Sequence, residues 1–254
     1  MPGSHFLHKR GGHKLALPRQ SRIFANTMDV PVHGDVKITT VYTNDYKEVR
    51  RWIGHSMAYL EDHQERVIGM DVEYTASPKT GQFPIVKRKA ALIQLCCGTR
   101  CLLYQVSLAR QVSRELKYFL YEGKYSFVGF SIGRDKEMLK RWGIEVTNYF
   151  DIETDWVVPH SRKILDSLAD VAGCLVDPSF LKLKDNFNKD HHARWAEPLC
   201  EEQIVYACKD AYACYAIWNR VDFILQGLYA AEKRRMEKSL KNKWEAQRET
   251  RYCW

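Results

Sequence analysis

The sequence predicts one α/β domain with a mixed central sheet flanked by helices. Three observations carry that reading. The first third of the chain holds β-branched and apolar segments separated by turn residues. The middle alternates strand and helix, and its SFVGFSI (126–132) is almost wholly apolar, as a strand covered on both faces would be. The last part has helical periodicity. With 254 residues, 45% of them hydrophobic and 28% charged, the chain can bury a sizeable core and falls outside the composition of disordered proteins. No uninterrupted apolar run approaches the ~20 residues of a membrane span, so no membrane partner is expected.

In chain order, the β-branched VKITTVYT (36–43) predicts a strand. Residues 45–60 predict a helix, because Tyr46, Val49, Trp52, Ile53, Met57 and Leu60 share one side. RVIGMDVEY (66–74) predicts a strand, and the Pro/Gly/Lys-rich residues 77–89 a loop. AALIQLCC (90–97) and CLLYQV (101–106) predict a hairpin turning at Gly98-Thr99-Arg100. A helix is expected over 108–121, the strand over 126–132, a helix from Gly133 through Trp142 and a short strand over 146–152. Helices over 162–174 and 199–227 complete the domain, and the tail from Ala230 is charged at helical spacing.

The formal charge of +8 is unevenly placed: +5 falls in residues 1–28, +4 in 229–254, and −1 on everything between. Basic ends suit a polyanionic partner, and they also serve plain solubility. Residues 1–32 read as a flexible basic leader, 33–225 as the domain and 226–254 as a basic C-terminal helix or tail. The leader has no 7–15-residue apolar stretch of the signal-peptide kind. It resembles a basic leader or a tag remnant, and a cytoplasmic or nuclear location is expected. The eight cysteines form no CxxC pair and no zinc-type spacing, the nine histidines form no HExxH, and buried thiols in a reducing compartment are expected.

Several acids stand where a core is expected. Asp71 and Glu73 alternate along a strand and so share a face. Two such carboxylates repel each other and lose hydration, which is costly without a partner. A divalent cation would relieve that cost, and so would a wet sheet edge. Tyr206 and Asp210 lie one turn apart on an apolar helix whose stripe continues through Ala213 and Ile217. A structural Tyr–Asp hydrogen bond would also explain that pair. Asp135 falls in the first turn of a helix, where the dipole favours an anion in any case. Together the four acids from three segments form a hard oxygen set suited to magnesium or manganese rather than zinc, and to displacement at phosphorus.

This ordered set resembles the DEDD superfamily of 3′–5′ exonucleases, in the Werner-like and ribonuclease D-like branch. Asp71-x-Glu73, Gly129-Phe130-x-Ile132-x-x-Asp135 and Tyr206-x-x-x-Asp210 match its three motifs, the last in the tyrosine form. The flanks Leu92-Ile93-Gln94-Leu95 and Trp195-x-x-Pro198-Leu199-x-x-x-Gln203-Ile204 agree. The match spans about residues 36–220 and is similar to small stand-alone plant members, of Werner-like or RISC-interacting clearing type. The second motif lacks an Asn that many members carry.

The resemblance implies a ribonuclease H-like fold and two Mg²⁺ or Mn²⁺ ions. Asp71 would bridge them, Glu73 and Asp210 would complete the ligand set of the first ion, and Asp135 would hold the second ion through water. Tyr206 would orient the attacking water. The implied reaction removes 5′-mononucleotides from a 3′ end, with single-stranded RNA favoured over DNA. Lys87, Arg88 and Lys89 after the first motif, and Lys184 and Arg194 before the third, are expected to hold phosphates; Lys79, Lys182, Lys189, His191 and His192 lie among them. Trp195 is expected as a buried loop anchor rather than a base-stacking platform, and Phe83 is a weaker stacking candidate.

Two rivals remain at this level: a catalytically silent ribonuclease H-like module that binds nucleic acid or a partner protein, and an endonuclease or transposase relative, which would lack the YxxxD helix. A homo-oligomer docked through the basic tail helix is a further expectation.

Overall fold

The computed structural model describes residues 22–75, 88–155, 167–183 and 187–251. Seven strands form one mixed sheet: β1 (Ala25–His33), β2 (Val36–Thr43), β3 (Val67–Tyr74), β4 (Ala90–Cys97), β5 (Arg100–Tyr104), β6 (Ser126–Gly129) and β7 (Tyr149–Asp151). Their spatial order is β1-β2-β5-β4-β3-β6-β7. The β1–β2, β3–β4 and β4–β5 pairs are antiparallel; β2–β5, β3–β6 and β6–β7 are parallel.

Helices α1 (Tyr46–Asp62), α2 (Arg114–Tyr121) and α3 (Ile132–Lys140) cover one face. Val49, Trp52 and Leu60 of α1, Phe119 of α2 and Ile132 and Leu139 of α3 pack there against Met70, Val72 and Leu95. After the short α4 (Ile152–Asp155), helices α5 (Leu168–Leu175) and α6 (Glu201–Arg251) cover the opposite face. Every residue of β4 is buried, so this central strand reads as an apolar run instead of alternating. The arrangement is the mixed, helix-flanked sheet of ribonuclease H-like folds.

The strands over 36–43, 66–74 and 90–106 and the helix over 45–60 stand where the sequence places them, within two residues. Elsewhere the boundaries move. Residues 25–33, all but His33 read with the leader, form edge strand β1, turned back onto β2 at Gly34-Asp35. Pro31 hid it; an edge strand tolerates a residue that cannot donate to a ladder. The helix expected over 108–121 starts only at Arg114, because the Ser113 hydroxyl caps it by accepting from the Leu116 amide at 3.2 Å. The strand expected over 126–132 stops at Gly129, and Ser131 adopts φ +59° before α3 begins at Ile132. The strand over 146–152 shortens to three residues, and the helix over 162–174 is described only as α5. The two helical segments from 199 onward are one continuous helix, α6, whose buried stripe ends at Val221. Among the described residues no helix is long and apolar enough to cross a membrane.

Two local features shape the sheet around the strand acids. The parallel pairing of β3 with β6 runs only over Val67–Gly69, while β3 continues to Tyr74 against β4. The end of β3 is therefore open on its β6 side. Meanwhile α6 crosses β3 at Gly69, where an added Cβ would lie 2.1 Å from the Ala211 carbonyl oxygen and 2.6 Å from the Tyr215 nitrogen. Only a residue without a side chain permits that approach. We expect Gly69→Ala to lower unfolding free energy by about 1–3 kcal/mol in urea denaturation, as overpacking against rigid backbone does. Gly54→Ala on α1, with nothing within 4 Å of the new methyl, should be neutral or gain up to about 1 kcal/mol.

Candidate active site

Strand alternation turns Gly69, Asp71 and Glu73 toward α6, and Met70, Val72 and Tyr74 toward α1–α3. Because α6 lies so close, Asp210 meets the strand acids. Donor oxygens of Asp71, Glu73 and Asp210 all lie within 4.8 Å of one another. Asp71 and Glu73 are half-buried at the open end of β3, and Asp210 is 7% exposed.

Asp135 comes from the other side of the sheet. It sits in the first turn of α3, 3% exposed, and accepts a short hydrogen bond from the Tyr74 hydroxyl through Oδ1. Its Oδ2 is buried with no hydrogen-bond partner. Asp135 stands outside the three-residue cluster but near enough for the Asp71 charge to be felt. The sequence-derived quartet is thus three acids together and a fourth, on α3, held by Tyr74 within range of their charge.

The electrostatics are those of a crowded anionic pocket. Burial pushes the Asp71 carboxyl up to about 6, against the lowering pull of the Val72 backbone amide and the Gln94 side chain. Gln94 is the cross-strand partner of Asp71 and fully buried. Its amide favours the ionised acid without closing a full hydrogen bond, since both of its polar atoms lack a partner. Glu73 is held well above the carboxylate range, by burial first and then by Asp71, Asp210 and Asp135, with Arg88 pulling the other way. Asp135 is raised likewise, by burial and by Asp71 and Asp151. The Tyr206 phenol is pushed far up by burial and by Asp210, Glu73 and Asp71, and its hydroxyl donates to Asp210.

The hard oxygen donors, the mutual repulsion and the orphaned Asp135 Oδ2 fit divalent cations of the magnesium or manganese kind.

Beside Tyr206 opens a cleft of about 770 Å³, lined also by Lys182, Phe187, Glu202 and Lys209. The loop before α6 is pinned to the sheet: the Tyr42 hydroxyl donates to Gln105, and Gln105 Nε2 donates to the Trp195 carbonyl at 3.0 Å. The Leu199 amide closes the circuit on the Tyr42 oxygen at 2.8 Å. Trp195 is 1% exposed, the buried anchor its position implied.

Of the basic residues, Arg88 lies by the acids, over the Tyr74 ring at 5.2 Å, whereas Lys89 sits over Trp142. Arg194 is exposed. Lys87 and Lys184, with Lys79 and Phe83, lie outside the described residues. The sequence pattern does not single out Tyr74 or the pinning pair Tyr42–Gln105, and it gives Gln94 no role of its own. Tyr74 follows Glu73 directly, but its bond to Asp135 depends on where α3 packs.

A family model described as 3′–5′ exonuclease matches residues 50–226 of the chain. No curated protein matches it. Among solved structures, the catalytic core of RRP6 from Trypanosoma brucei is similar at TM-score 0.55 and 18% identity, covering 80% of this chain and 51% of that one. RNase D from T. brucei, in a complex with GMP, is similar at TM-score 0.53 and 16% identity, covering 71% and 56%. NrnC from Brucella melitensis is similar at TM-score 0.50 and 14% identity, covering 68% and 80%. At these identities the likeness is one of fold.

The raised carboxyls make a stability prediction. In the folded, metal-free protein Asp71 binds its proton up to about pH 6, whereas the unfolded chain releases it near its ordinary value of 3.8. This contribution to stability is complete below the unfolded value and is lost as pH rises through about 6. In chelator, thermal melts should show wild type falling below Asp71→Asn by a few degrees above pH 6, with the gap closing toward pH 4. Mg²⁺ or Mn²⁺ should raise the wild-type Tm most above pH 6.

Proposed function

The chain belongs to the 3′–5′ exonuclease family and is a hydrolase of the DEDD superfamily acting on nucleic acid, and from that premise we propose that it shortens single-stranded RNA, in preference to DNA, by releasing 5′-mononucleotides at the Asp71–Glu73–Asp210 cluster. The observation that carries this reading is the meeting of three carboxylates from β3 and α6, with the buried, half-unpartnered Asp135 within range of their charge. The RNA preference rests on the ribonuclease among the structural relatives and the ribonucleotide in its complex. The tyrosine form of the third motif and a cytoplasmic or nuclear location belong to the same proposal.

In this reading Asp71, Glu73 and Asp210 hold divalent cation, and Asp135 completes the set through its unpartnered Oδ2. Mg²⁺ or Mn²⁺ bound there, two ions in this reading, would supply the positive charge that displacement at phosphorus needs. The protein's own part is positioning. Burial holds the Tyr206 phenol above its ordinary range, and in this reading its hydroxyl orients the attacking water by hydrogen bonding one turn from Asp210. Gln94 steadies the ionised Asp71 from across the strand pair. Lys182 and Lys209 line the cleft beside Tyr206 and Arg88 lies by the acids; these three, with Lys89, Arg194 and, outside the described residues, Lys87 and Lys184, are the side chains to which this reading gives the backbone phosphates. A homo-oligomer built through the basic end of α6 is the corresponding proposal for assembly.

The test is digestion of 5′-labelled RNA and DNA of the same sequence, with free or blocked 3′ ends. The expected product is a ladder shortening by single nucleotides from a free 3′-OH, faster on RNA and absent in chelator. Asp71→Asn and Asp210→Asn should each lose about 10³-fold or more in kcat/KM. Tyr206→Phe should lose about 10²-fold in kcat with metal binding retained. Internal cuts, or wild-type rates in Asp71→Asn, would contradict the proposal.

A further inference from the structure

We propose that His191, Cys200 and Glu202 form a second metal site, separate from the carboxylate cluster, that takes a transition cation of the zinc kind. His191 lies in a 3-10 turn (Lys189–Ala193), Cys200 immediately precedes α6, and Glu202 is in its first turn. The Cys200 Sγ and His191 Nδ1 are 3.7 Å apart, and His191 Nδ1 and Glu202 Oε2 are 3.2 Å apart. Donor atoms of all three residues lie within 4.8 Å of one another. A tetrahedral zinc ion, with bonds of about 2.0–2.3 Å, separates a sulfur from a nitrogen ligand by about 3.6 Å and a nitrogen from an oxygen ligand by about 3.3 Å. The imidazole therefore already stands at coordination spacing from both the sulfur and the carboxylate.

The donor chemistry differs from that of the active site. One thiolate, one imidazole and one carboxylate make a borderline-soft set that favours zinc over magnesium, where the cluster on β3 offers oxygen alone. Three protein ligands leave a fourth position for water. On binding, the Cys200 thiol gives its proton to solvent.

The ligand-bearing segments are fixed from behind. Gln203, 3% exposed, donates from Nε2 to the His191 carbonyl at 3.1 Å and accepts at Oε1 from the Cys200 amide at 3.1 Å. One buried side chain thus locks the two backbone segments that carry the imidazole and the thiol, the supporting role that outer-shell groups play around metals. Phe187 meets the His191 ring edge-on at 5.7 Å.

A cation here would staple the segment before α6 to the helix start. That segment carries Phe187 and Trp195, whose rings lie 4.3 and 6.2 Å from the ring of Tyr206. Glu202 also lines the cleft beside Tyr206. The site would therefore stiffen one wall of the substrate cleft without supplying a ligand to the reaction.

Cobalt(II) distinguishes this site from the carboxylates, because only a thiolate ligand gives a sulfur-to-cobalt charge-transfer band. The full chain, reduced and stripped with chelator, is titrated with Co²⁺. The expected result is a band that saturates at one equivalent, is bleached by Zn²⁺, persists in Asp71→Asn and is lost in Cys200→Ser. His191→Gln, a second variant that keeps every cysteine, should weaken Co²⁺ binding at least about tenfold. Circular dichroism confirms folding of each variant. Absence of the band, its survival in Cys200→Ser, or unchanged affinity in His191→Gln overturns the proposal.

Discussion

Like charge crowded into a buried place is the constraint on which this molecule turns. Asp71, Glu73 and Asp210 share a space under 5 Å across, with Asp135 close enough to add its own repulsion. Left alone, such acids hold protons that carboxyls in water would release, and part of the fold's stability is spent on keeping them together. A divalent cation removes the conflict and turns the same crowding into a binding site.

The rest of the architecture brings that cluster about. The β3–β6 pairing ends at Gly69, so the part of β3 that carries Asp71 and Glu73 is paired only to β4, and both acids stay half-buried beneath α6. The bare backbone at Gly69 lets α6 descend until Asp210 reaches them. The Tyr42–Gln105 relay fastens the loop ahead of α6, and through Trp195 and Phe187 it sets the aromatic wall against Tyr206. Each of these contacts fixes where an acid of the cluster or its Tyr206 neighbour stands. The family model and the shared fold of RRP6 and RNase D agree with a nuclease built this way.

What the sequence disclosed was local in origin. Asp71-x-Glu73 on a strand and Tyr206-x-x-x-Asp210 on a helix announce their common faces through periods of two and of 3.6, so their orientation needed no tertiary information. Asp135 was legible as a helix-start acid, but its Tyr74 partner and its orphaned oxygen depend on how α3 packs over β3. Gln94 gained meaning only from the register that sets it opposite Asp71. β1 escaped notice because Pro31 interrupts it and an edge strand buries little. The His191–Cys200–Glu202 group has no motif spacing at all, since an irregular loop folds His191 back over the start of α6.

A crystal of the wild-type chain grown with Mn²⁺ would weigh all of this in one anomalous difference map. Manganese peaks should appear within about 2.2 Å of carboxylate oxygens of Asp71, Glu73 and Asp210, and disappear in Asp71→Asn. A map with no peak among those three acids at saturating Mn²⁺, or with the same peak in Asp71→Asn, would mean that the cluster is a structural accident and that the active site lies elsewhere.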